Sequence, residues 1–199
     1  MSHETAPNKC AYAGCGRDEI RNGLCIFHLP DKNVKEAMAF IERLVAEKAR
    51  MESDETKELV SFEGFVFPKL NFDEFCRKEF SKKTIFAKSI FEGEARFTDA
   101  TFLHDTSFEK VKFLGLAVFS GATFNSVSFD KAKFRGPAWF IKAEFEYASF
   151  NDTEFSMYAS FPDARFHREA HFDGAKFLGG AYFREARFCE ISSFDDVVF

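Results

Sequence analysis

Tryptophan occurs once in these 199 residues, tyrosine four times and proline five times. No stretch approaches the ~18 consecutive apolar residues of a membrane span, so no spanning helix and no membrane partner are expected. The opening residues MSHETAPNKC lack the basic-then-apolar order of a secretory leader. Cysteines number only five, an odd count, and three of them crowd around one histidine. That pattern argues for a metal site in a reducing compartment rather than a disulfide framework, and the cytoplasm is the expected location. A single-sign charge surplus is also missing, since the formal charge is only −5.

Phenylalanine is the exception, with 30 residues. From Phe86 it falls at 86, 91, 97, 102, 108, 113, 119, 124, 129, 134, 140, 145, 150, 155, 161, 166, 172, 177, 183, 188, 194 and 199, always five or six residues apart. Two positions before each stands a small or β-branched residue, Ala in fourteen of the 22 cases. A period of five fits neither a helix nor a strand. It fits a chain that turns a corner every five residues and stacks coil on coil. Grouped in fours from Phe86, the steps read 5-6-5-6, 5-6-5-5, 5-6-5-5, 5-6-5-6 and 5-6-5-6. Only the fourth step varies, so the unit is a four-sided coil of 21 or 22 residues.

Each face of such a coil sends inward one ring and one small group, and a larger partner would overpack the bore. Coils at strand spacing, ~4.8 Å apart, give about 26 Å of solenoid for roughly 5.5 coils. Phe62-Glu-Gly-Phe-Val-Phe-Pro68 is read as the entry, with Pro68 ending further pairing. Phe75 and Phe80 keep the register, but Asp73 and Lys78 occupy their small-residue slots, so the first regular coil is expected near Phe86.

Segments such as Ala95-Arg-Phe-Thr-Asp-Ala-Thr-Phe102 and Ala181-Tyr-Phe-Arg-Glu-Ala-Arg-Phe188 resemble the pentapeptide-repeat proteins, in the variant with Phe at the centre. The resemblance covers roughly residues 70–199 and implies a mainly β fold, a right-handed quadrilateral β-helix. The best-understood members of that family resemble duplex DNA in form and charge and bind type II topoisomerases.

Ahead of the repeats, Cys10, Cys15, Cys25 and His28 stand as C-x4-C-x9-C-x2-H. Three thiolates and one imidazole suit tetrahedral zinc, and with four protein ligands no position stays open for a substrate. Structural zinc is therefore the expected cofactor, against three unrelated thiols or a redox site as alternatives. The text around these residues resembles small knuckles with three Cys and one His. From Asn33, paired with Glu36 as a capping box, a helix should run to about Met51. Its apolar stripe of Val34, Met38, Ile41 and Val45, with Ala37 and Leu44 beside it, should cap the first coil or pair two molecules. The expected organisation is thus a knuckle over 1–30, a helix and linker over 31–60, and a solenoid over 61–199.

Fixing the coil also sorts the outward residues by face. The position before Phe on the third face runs Arg96, Val118, Trp139, Ser160 and Tyr182, which makes Val118, Trp139 and Tyr182 the candidate partner-binding stripe. The position after Phe on the first face runs Glu109, Asp130, Asn151, Asp173 and Asp195, an acidic column beside Lys88, Lys110 and Lys131. A filled solenoid offers no convergent cleft, and His104, His167 and His171 have no obvious nucleophile, so an enzyme is not expected. DNA mimicry needs a dense negative surface, whereas Arg77 to Phe199 holds 18 acidic and 17 basic residues. A non-catalytic scaffold binding a protein is the favoured expectation. Topoisomerase binding by DNA mimicry, or nucleic-acid binding through the knuckle with Lys9, Arg17 and Arg21, are the alternatives. Phe199 ends the sequence still in register, so either a chain that continues beyond it or a homodimer through the C-terminal coil is expected, with a homodimer through the N-terminal helix as a further alternative.

Overall fold

The computed structural model describes residues 8–69 and 79–199. One helix, α1 (Val34–Ser53), precedes a run of short strands, and every pairing between those strands is parallel. No helix among the described residues is long and apolar enough to cross a membrane.

The Phe period becomes a ladder of rings. On the first face Phe62, Phe86, Phe108, Phe129, Phe150, Phe172 and Phe194 stack face to face, with centroids 4.8–5.0 Å apart. Rings of opposite faces meet edge-on across the bore, as Phe119 of the third face meets Phe129 of the first at 5.2 Å and 78°. Parallel offset stacks along the axis and edge-to-face contacts across it are both favourable quadrupole geometries, so one side chain suits all four walls. Phe86 through Phe177 are fully buried at every repeat position, and the small residues between them fill the corners of the bore.

The step lengths have a local cause. After the first and third faces the chain makes a tight turn, closed when Val111 N–H donates to the Phe108 carbonyl and Ala143 N–H to that of Phe140, both at 3.2 Å. The residue two after Phe has a left-handed φ there in coil after coil: Lys88, Lys110, Lys131 and Asp152 on one corner, Asp99, Lys142 and Asp163 on the other. A type II turn of this kind has a fixed length, which holds both steps at five. Between the fourth and first faces the strand runs straight through, as Thr123–Ser128 and Glu144–Ser149 do. The extra residue of the six-residue version is absorbed as a register shift between Phe102 and Asp105. Between the second and third faces adjacent coils approach closely. A Cβ on Gly115 would sit 2.6 Å from the Gly93 carbonyl oxygen, so the column favours glycine.

The solenoid begins earlier than the repeat pattern indicates. Val60 fills a small-residue slot, Phe62 stacks on Phe86, and Val66–Phe67 pairs with Ile90–Phe91, so the solenoid is under way from Leu59, at the expected entry and ahead of the regular repeats from Phe86. Phe65 stands where later coils carry a small residue and reaches into the knuckle instead, which hides this coil from a pattern search. Phe75 lies outside the described residues.

The capping stripe of α1 is also different. Ala37, Phe40, Leu44, Lys48 and Met51 face the coil, while Val34, Met38 and Val45 are exposed. Phe40 meets Phe67 edge-on at 5.4 Å, and the Lys48 ammonium sits 3.9 Å from the Phe80 ring centre. Each closes the top of one Phe column. The Asn33–Glu36 capping box is present as expected.

Candidate metal centre and outer faces

Short-range backbone bonds shape the knuckle. Cys10 N–H donates to Arg17 O at 2.8 Å, Ala11 N–H to Gly23 O at 2.7 Å, and His28 N–H to Cys25 O at 3.1 Å. These bonds fold both ligand pairs onto one point. Cys10 Sγ lies 3.5 Å and Cys25 Sγ 3.3 Å from His28 Nδ1, and Cys15 Sγ lies 3.6 Å from Cys25 Sγ. All four donor atoms lie within 4.8 Å of one another, close enough to hold one metal ion.

The surroundings fix the donors. Burial pushes the His28 pKa down to about 4, so its ring is neutral, and the Glu63 backbone hydrogen-bonds it. Tyr12 stacks on the same ring at 3.9 Å and 5°. A Cβ on Gly64 would collide with the Tyr12 hydroxyl, so that residue must stay small. Burial pushes the Cys25 thiol up to about 11. Burial also raises Cys15, but hydrogen bonds from the Arg17 backbone and guanidinium outweigh it and hold this thiol below its usual range. Cys15 is the half-buried donor, at the wall of a cleft of about 500 Å³ between knuckle, α1 and first coil.

The knuckle is built into the cap. Val66 N–H donates to Phe27 O at 2.7 Å, Phe27 stacks on Phe65 at 4.5 Å, and Lys32 donates to the Leu29 and Val66 carbonyls. Arg17 pairs with Glu47 of α1 at 2.7 Å, and Arg21 pairs with Glu36 at 3.1 Å. Tyr12, Lys32 and Phe65 carry no signal of this role in the sequence, because each contact joins segments far apart in the chain.

On the third face, the register sets Val118 beside Trp139, Trp139 beside Ser160, and Ser160 beside Tyr182. Tyr182 is 59% exposed, Trp139 is half-buried, and Val118 is only 4% exposed, flanked in register by Arg96 and Trp139. The stripe that reaches solvent is therefore narrower than expected, with Tyr158 edge-on to Tyr182 at 6.3 Å.

The acidic column has a structural task that charge alone conceals. Asp130 Oδ1 accepts from Asn151 N–H at 3.0 Å, Asn151 Oδ1 from Asp173 N–H at 3.0 Å, and Asp173 Oδ1 from Asp195 N–H at 2.9 Å. Each side chain thus ties its coil to the amide of the next. Glu109 instead pairs with Lys110 at 2.6 Å.

His171, read from the sequence as lacking a nucleophile nearby, has Nδ1 2.8 Å from Ser193 Oγ. That hydroxyl donates to Asp173 Oδ2 at 2.9 Å, so its proton is engaged and the imidazole must be the donor. The arrangement is the wrong tautomer for a general base toward Ser193.

Parallel pairing, one ring per face and about six stacked turns define a β-solenoid scaffold headed by a cluster of three Cys and one His. A family model described as pentapeptide repeats (9 copies) matches residues 86–132, 108–154, 119–165 and 161–199, more than half of the chain. The chain belongs to the pentapeptide-repeat family. No curated protein matches it in sequence. Among solved structures it is similar to HetL, a pentapeptide repeat protein involved in heterocyst differentiation regulation from the cyanobacterium Nostoc sp. Strain PCC 7120. The identity is 13%, with 69% of this chain and 73% of that chain covered, and the TM-score of 0.19 is too low to carry an argument.

Proposed function

We propose that this chain is a non-catalytic protein-binding scaffold whose knuckle holds a structural zinc ion on Cys10, Cys15, Cys25 and His28. The docking face is the third, and the observation that carries this assignment is Tyr182, 59% exposed on a rigid wall, with Trp139 two coils away in register. Exposed aromatics on a preorganised surface are the residue types that anchor interfaces. The bore itself is filled by Phe rings, which leaves outer faces as the surface for recognition.

The donor set fits zinc. Tetrahedral coordination with Zn–S near 2.3 Å and Zn–N near 2.05 Å sets donor separations of about 3.8 Å for S···S and about 3.5 Å for S···N. Three of the six separations are 3.6 Å for S···S and 3.3 and 3.5 Å for S···N, and all six fall within 4.8 Å. Zinc would also deprotonate Cys25, which burial otherwise keeps as a thiol.

The two alternatives have less support. Asp130 and Asp173 direct carboxylate oxygens to the next coil's amides instead of displaying them as phosphate mimics. Lys9, Arg17 and Arg21 are each paired within the knuckle and cap, with Asp18, Glu47 and Glu36, rather than presented to a nucleic-acid backbone. Iodide quenching of Trp139 fluorescence tests the docking face. Red-shifted, quenchable emission with unchanged melting in Trp139→Ala is expected. Blue, shielded emission and a large loss of melting temperature would make Trp139 a packing residue.

A further inference from the structure

Helix α1 carries two apolar stripes, and among the described residues only one is covered. Ala37, Phe40, Leu44 and Met51 pack on the first coil. Val34, Met38, Ile41 and Val45 lie about a quarter-turn around the helix, spaced four, three and four residues apart. Val34 is 69% exposed, Met38 63% and Val45 43%, with Ile41 half-buried between them. The knuckle does not reach this stripe. Its contacts to α1 run through Glu36, Phe40 and Glu47, on the far side of the buried face.

A 4-3-4 spacing is the seam of a two-helix coiled coil, and a seam of this kind left open on a rigid element is a pairing surface. We infer that the covering element is α1 of a second copy of this chain, running antiparallel. The stripe is self-complementary in that sense. About its own midpoint, Val34 falls opposite Val45 of the second copy, and Met38 opposite Ile41. Charge supplies the direction. Lys35 and Glu42 lie along one margin of the stripe, both exposed, and neither has an ion-pair partner among the described residues. In an antiparallel pair each lysine faces the other copy's glutamate. A parallel pair would set that margin against the opposite margin of the other helix, which carries Ala37 and Leu44, so neither charge would meet a partner. Ala49 continues that margin one heptad on with a small side chain. The pairing would place two solenoids on either side of one helical seam, each with its Trp139 face free.

The test is sedimentation or light scattering of the full chain across a dilution series. A concentration-dependent dimer is expected. Met38→Lys combined with Val45→Lys should give a monomer with unchanged melting temperature, since both residues are solvent-facing. Lys35→Glu alone should weaken the dimer severalfold, as should Glu42→Lys alone. The double exchange, Lys35→Glu with Glu42→Lys, should restore it, because the antiparallel complementarity is re-formed with signs reversed. A monomer at every concentration overturns the inference. So does a dimer that survives the two lysine substitutions, because its interface then lies elsewhere. A dimer in which the double exchange fails to rescue overturns the antiparallel arrangement.

Discussion

Val66 N–H donates to the Phe27 carbonyl at 2.7 Å, so the knuckle of three Cys and one His is hydrogen-bonded directly to the first coil of the solenoid. Phe27 is the residue before His28, and Val66 opens the second face, so the candidate metal centre and the end of the ladder form one cap. The helix completes it, with Phe40 and Lys48 over two of the Phe columns. Open solenoid ends expose rings and unpaired strand edges, and this end is closed by all three N-terminal elements together.

That coupling makes metal removal local but not silent. Elemental analysis should find about one zinc per chain. Chelation should raise amide exchange over residues 10–29 and at Val66, while the coils from Phe108 onward keep their protection. Protein free of zinc as isolated, or a Cys10–Cys25 disulfide in its place, would refute the assignment.

The bore tolerates no loss of a ring. Phe129 is fully buried and contacts Phe108 and Phe150 along its own column and Phe119 across it. Phe129→Ala should cost about 3–5 kcal/mol in denaturant melts. A cost below about 1 kcal/mol would mean the ladder is not the core.

Gly115 should resist the smallest enlargement. Gly115→Ala places its Cβ against the Gly93 carbonyl and should cost about 1–3 kcal/mol through coil separation. Leu114→Ala, on the exposed outer surface beside it, is the control and should change stability little.

Ser89 offers the opposite experiment. Its hydroxyl is fully buried without a hydrogen-bond partner, whereas Thr153, in the same column, donates to Phe129 O at 2.7 Å. Ser89→Ala removes an unsatisfied polar group and should stabilise by about 1 kcal/mol. A destabilisation of that size would show that the hydroxyl is satisfied.

The acidic column should respond to shape more than charge. Asp173→Asn keeps the acceptor for Asp195 N–H, as Asn151 does one coil earlier, and gives up only the Oδ2 acceptor for Ser193 Oγ, so it should cost less than loss of the whole side chain. Asp173→Ala removes the acceptor and should cost about 1 kcal/mol. Equal effects from both would make the charge, not the hydrogen bond, the reason for Asp.

Legibility in the sequence followed the density of constraint. The Phe spacing fixes four sides and the register, because a narrow bore admits one side-chain shape at one period. The clustering of Cys10, Cys15, Cys25 and His28 is equally plain, since thiols and an imidazole in that spacing point to one tetrahedral site. The helix face was harder. Two apolar stripes lie on α1, period alone does not say which meets the coil, and a lysine adds nothing to an apolar period although Lys48 covers Phe80. Asp130 and Asp173 read as charge because a bond to the next coil's amide leaves no trace in composition. The first coil is obscured at Phe65, which serves the knuckle and breaks the repeat's small-residue rule.

The scaffold assignment is tested most directly by quantitative affinity capture from the native cell, comparing the wild-type chain with Trp139→Ala/Tyr182→Ala and with Arg187→Ala on the fourth face. Captured proteins should fall away with the aromatic pair substituted, persist with Arg187→Ala, and do so with no change in melting temperature in either variant. Recovery of the same proteins by the aromatic-pair variant, at the same yield, would contradict docking through the third face.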